Sequence, residues 1–138
     1  MIKFKKNFYF IFLFFISSLS YGDTSGDRSI KLEGVENEKT YSSPIDLNFI
    51  VENMKVRPAG VMEENSGHHH LLINLNELPD MTKPLPMTKN IRHFGKGQES
   101  TSLELEPGKY TIQLLFADHN HTPHKIPLIT KKISFYIK

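Results

Sequence analysis

Leu105-Glu106-Pro107-Gly108-Lys109-Tyr110-Thr111-Ile112-Gln113-Leu114-Leu115-Phe116 is the stretch on which the fold turns. Tyr110, Ile112, Leu114 and Phe116 alternate with Thr111, Gln113 and Leu115, the period of two expected when successive side chains leave a strand on opposite faces. The Tyr directly after a Pro-Gly turn matches the tyrosine corner through which immunoglobulin-like folds enter their sixth strand. A plain hairpin turn followed by an ordinary core Tyr is the competing reading, because Pro-Gly turns join many kinds of strand. Working outward, the same period recurs in Ile45, Leu47, Phe49 and Val51, in His69, Leu71, Ile73 and Leu75, and in Ile133, Phe135 and Ile137. No segment carries a helical stripe. The pattern predicts an all-β, immunoglobulin-like antiparallel β-sandwich with strands over 45–51, 69–75, 91–94, 100–105, 110–117 and 131–137.

Residues 1–22 read as a secretory signal peptide, and 23–138 as a single β-sandwich domain. Met1 to Lys6 is basic, Phe8 to Ile16 is an unbroken apolar run, and Ser20-Tyr21-Gly22 offers a cleavage site. The run is well short of the ~20 residues a membrane span needs, so no span is expected after cleavage. Loss of Lys3, Lys5 and Lys6 takes 17 basic residues to 14 against 15 acidic ones, turning +2 into −1. The basic excess thus belongs to the signal, and nucleic-acid binding loses its electrostatic motive. With no cysteine in an exported chain, a periplasmic or secreted domain must rest on its core rather than on disulfides.

All seven histidines fall between 68 and 124, in Gly67-His68-His69-His70, His93-Phe94-Gly95-Lys96-Gly97, and His119-Asn120-His121-Thr122-Pro123-His124. Antiparallel reversal of the expected strands brings all three groups to one end of the sandwich. Parity sends His69 inward with Leu71 and Ile73, and His68 and His70 outward together, with His119 on their side if the alternation is extended past Ala117. The opposite end receives Asn76–Asn90, in which Met81 to Met87 reads as an extended, proline-broken linker.

Converging imidazoles make a site for zinc or copper, and thioethers shift preference towards Cu(I). The candidate ligands are a subset of His68, His70, His93, His119, His121 and His124, with Met54 or Met62 assisting. A metal ion is then the expected partner, and copper or zinc the expected cofactor. In one alternative the histidines are structural, hydrogen-bonding the loops of an envelope protein or small-ligand module. In another the metal assists an enzyme with Glu63, Glu64 or Asp118 carrying protons. No His-Glu-x-x-His motif, phosphate-binding loop or serine nucleophile turn is present.

Pro58-Ala59-Gly60, Ser66-Gly67-His68-His69-His70-Leu71-Leu72-Ile73, His93-Phe94-Gly95-Lys96-Gly97-Gln98, Leu105-Glu106-Pro107-Gly108, Thr111-Ile112-Gln113-Leu114 and His121-Thr122-Pro123-His124 follow one another in this order. From about Val35 onward the chain thereby resembles a family of short exported bacterial proteins designated domain of unknown function 4399. The resemblance implies a compact exported β domain and carries no activity. It also implies that His68, His69, His70, His93, His121 and His124 belong to the family pattern. Tyr110 stands where relatives often carry His, which the tyrosine-corner reading treats as structural.

Overall fold

The computed structural model describes residues 26–138; the expected signal peptide over 1–22 lies outside them. Ten strands follow in order: β1 Ser29–Glu33, β2 Thr40–Tyr41, β3 Ile45–Glu52, β4 Lys55–Val56, β5 Ser66–Ile73, β6 Ile91–His93, β7 Ser100–Leu103, β8 Gly108–Ala117, β9 Pro123–Ile129 and β10 Ile133–Ile137. One sheet has the order β1-β3-β7 and the other β2-β10-β8-β5, with β4 and β6 against β5 and β9 against β8. Most pairs are antiparallel; the short β2 and β4 run parallel to β10 and β5. The chain crosses between the two sheets after β1, β2, β3, β6 and β7, and the result is an immunoglobulin-like sandwich.

The tyrosine corner forms. Tyr110 Oη donates to the Glu106 carbonyl at 2.8 Å across the Pro107-Gly108 turn. The Tyr110 ring packs on Phe135 from the neighbouring strand, with centroids 5.8 Å apart. Leu47, Phe49, Leu71, Ile112, Leu114, Leu103 and Phe135 fill the space between the sheets, the inward parity expected of each strand.

Two sequence expectations need correction. The segment between the expected strands 110–117 and 131–137 is not a loop throughout but holds β9, which tolerates Pro123 and Pro127 by pairing with only the last part of β8, where a register shift falls at Phe116/Ala117. The second correction matters more for function. The outer face of β5 and β8 is not open to solvent: every residue of β5 is buried. Residues 74–90 do not remain at the far end as a linker but return over the sheet as a strap. Leu85 is buried with Leu72, Ile91, Leu115 and Ala117, and Leu75, Met81 and Ile129 flank them. This second apolar cluster makes β5 and β8 central strands covered on both faces.

The histidine-bearing end is knit by main-chain hydrogen bonds between segments distant in sequence. Ala59 N donates to Gly95 O, Gly60 N to His119 O, Phe94 N to His69 O and Leu85 N to His121 O. Gly67 is required for close pairing there: a Cβ at this position would collide with the Ala117 carbonyl.

Candidate metal centre

β5 lays out the first half of the site. His68 and His70 project from the outer face on either side of inward-pointing His69, and all three are buried. Register supplies the third ring, since His70 pairs with His93 of β6 on one side and with Leu115 of β8 on the other. His68 pairs with Ala117, whose small side chain leaves room above the sheet.

His121 comes from the turn after β8. Asp118 Oδ1 accepts hydrogen bonds from Asn120 N at 2.8 Å and Thr122 N at 2.9 Å, closing an Asx-type turn. His121 N donates back to Asp118 O, and His121 sits in the left-handed region at φ 64°. That backbone state is uncommon outside glycine and asparagine, and the turn holds it in place. The result swings the His121 ring over His68 and His93, at centroid separations of 5.0 and 4.5 Å.

His68, His70, His93 and His121 each present one ring nitrogen within 4.8 Å of the others. Nε2 of His93 lies 2.9 Å from Nε2 of His68 and 2.9 Å from Nε2 of His121. A neutral ring nitrogen carries either one proton or one in-plane lone pair, so His93 Nε2 cannot make a good hydrogen bond to both neighbours. The demand is wider still, because His68 Nδ1 and both nitrogens of His70 are buried without a hydrogen-bond partner. A tetrahedral ion with ~2.0–2.1 Å bonds to imidazole would place its ligand nitrogens roughly 3.3 Å apart, close to the spacing of this group.

The electrostatics of His68, His70 and His93 favour the ligand form. Burial, reinforced by His93 and His121, lowers the pKa of His68 to about 4. Burial, reinforced by His68, His93 and His121, lowers that of His70 to about 3. Burial also lowers the pKa of His93, with His121 adding to the effect. Neutral rings with available lone pairs are what a metal ion needs.

The other candidates lie elsewhere. His69 points between the sheets, against Phe49 and Phe116, and its Nδ1 meets the Gln98 carbonyl at 3.2 Å. That contact is the loop-fixing role the structural alternative assigned to it. His124 stacks on Phe116, which faces the interior, so the sheet separates it from the four-histidine group. His119 stays in the turn, part-buried, and takes no part in the group. Met62 is 79% exposed, and Met54 lies in the turn between β3 and β4. Glu63 is held by Lys55 at 2.5 Å and Arg57 at 2.6 Å, hydrogen bonds that lower its pKa.

A sequence model described as "Domain of unknown function (DUF4399)" matches residues 47–138. The chain belongs to this family. The matched region contains all four converging histidines. No curated protein and no solved structure matches the chain.

Gly95, two residues past His93, also shapes the site. A Cβ there would run into Cε1 and Nε2 of the His93 ring. Gly95→Ala is therefore expected to displace that imidazole while leaving all four histidines in the chain. Zinc affinity should fall roughly 10–100-fold, the scale on which groups that orient a ligand act. Calorimetric titration beside the parent protein checks this, and equal affinities would refute it.

Proposed function

We propose that this protein is an exported, non-enzymatic metal-binding protein that holds one copper or zinc ion between His68, His70, His93 and His121. The observation that carries the reading is the convergence of four imidazoles from three separate segments, with ring nitrogens that protein partners leave unsatisfied. Surface histidines have no reason to gather, and buried polar atoms are normally paired. Export is supported by the basic, apolar and small-polar succession over 1–22.

The donor set narrows the ion. Four imidazoles with no thiolate suit zinc and Cu(II), whereas calcium and magnesium require oxygen ligands. With Met62 on the surface, the pull towards Cu(I) that thioethers would provide is weak. Binding is favoured over turnover because Glu63 is engaged by two cations and Asp118 Oδ1 by two backbone N–H groups.

The test is elemental analysis of the untagged exported protein after gel filtration, followed by titration with Zn(II), Cu(II) and Cu(I). One ion per chain is expected, with Cu(II) bound more tightly than Zn(II), as nitrogen sites generally order them. A chain that retains no metal, and whose melting temperature no metal shifts, overturns the reading.

A further inference from the structure

Resting on the metal-binding reading, we infer that the site is an exchange site: the ion enters and leaves across the His93–His121 edge by direct ligand substitution, while His68 and His70 form a fixed floor. The partner is a chelating acceptor or donor whose nitrogen or oxygen atoms can join the coordination sphere before the protein's own ligands let go.

The four ligands fall into two unlike pairs. His68 and His70 are 0% and 1% exposed and sit mid-strand in β5, which is hydrogen-bonded on both sides. Their positions are set by the sheet. His93 is the last residue of a three-residue strand and His121 lies in a turn; both are only part-buried. The edge they form is the side of the group that reaches solvent. The His93 ring rests against Gly95, where a side chain would displace it.

The bracing is also unlike that of a permanent site. Ligating histidines usually donate their second ring N–H to a carboxylate or carbonyl, which fixes the ring and strengthens the bond to the metal. In this group His68 Nδ1 and both nitrogens of His70 lack any such partner. Imidazole ligands carry no negative charge, so no charge on a ligand holds a divalent ion against a competing chelator. A reachable edge together with unbraced neutral donors describes a site suited to passing an ion on.

Stopped-flow transfer of Zn(II) from the loaded full-length protein to a metallochromic pyridylazo chelator, at several chelator concentrations, tests this. The transfer rate is expected to rise in proportion to chelator concentration, because the chelator attacks the bound ion. His121→Ala should keep its zinc through gel filtration and transfer it about tenfold faster, whereas His68→Ala should lose it on the column. A wild-type rate that does not change with chelator concentration means that the site must open first, and overturns the inference while leaving metal binding intact. Zinc lost from His121→Ala but kept by His68→Ala also overturns it. A wild-type protein that takes up no zinc at the loading step overturns the metal-binding reading, and this inference with it.

Discussion

His70→Leu is expected to abolish metal binding and, in the presence of a chelator, to make the fold more stable than the parent by roughly 1–3 kcal/mol. His70 is buried beside Leu72 and Leu115, and neither of its ring nitrogens has a hydrogen-bond partner. Each such nitrogen forgoes the water it would bind in the unfolded chain. An apolar side chain of similar size removes that cost and extends the cluster formed by Leu72, Leu85, Ile91, Leu115 and Ala117. With metal present the order reverses, because an ion that binds only the folded protein stabilises the parent and not the variant. Urea unfolding with and without zinc checks both halves. If His70→Leu is the less stable protein in chelator, the imidazole is satisfied in a way that makes it structural, and its role as a waiting ligand is wrong.

Metal-free protein should lose stability steeply as pH falls from about 6.5 towards 4. Burial depresses the pKa of His68 and His69 to about 4 and that of His70 to about 3, whereas in the unfolded chain all three return to the ordinary imidazole value of 6.5. Between those limits the unfolded chain binds more protons than the folded one, so stability is greatest above 6.5 and declines as pH drops through the window. His69 is the cleanest case, since its shift arises from burial and is opposed only by the Gln98 carbonyl. Its displacement alone corresponds to about 3 kcal/mol. His68 and His70 lie against each other and titrate as parts of one group, so their contributions do not simply add. Bound zinc should shift the acid transition to lower pH, until protons displace the ion. Circular dichroism against pH, with and without zinc, provides the comparison. A metal-free protein equally stable at pH 7 and pH 4.5 would show that the three rings are not held neutral by burial.

Much of the scaffold was legible in advance because its signals are local. Alternation along Tyr110 to Phe116 and Ile45 to Val51 identified strands, and Pro107-Gly108-Lys109-Tyr110 marked the corner that the Tyr110 hydroxyl closes. Strand reversal then placed the histidine groups at a common end, and parity separated His69 from His68 and His70, since both depend only on the number of residues between turns. The membership of the site was less legible. His119 and His121 are two residues apart, but past Ala117 the chain is a turn, where parity has no meaning. Asp118 and the left-handed backbone at His121 decide which ring meets the others.

What the sequence determined by itself was a two-sheet β domain with its imidazoles gathered at one rim. The tertiary structure decided that this rim is roofed. The packing of Leu85 and Met81 over Leu72 and Leu115 depends on residues far apart in the chain and leaves no periodic trace in a proline-broken segment. That long-range burial turns an outward-facing pair of histidines into a desolvated one, held neutral and unpaired, and desolvation is what distinguishes them from surface histidines.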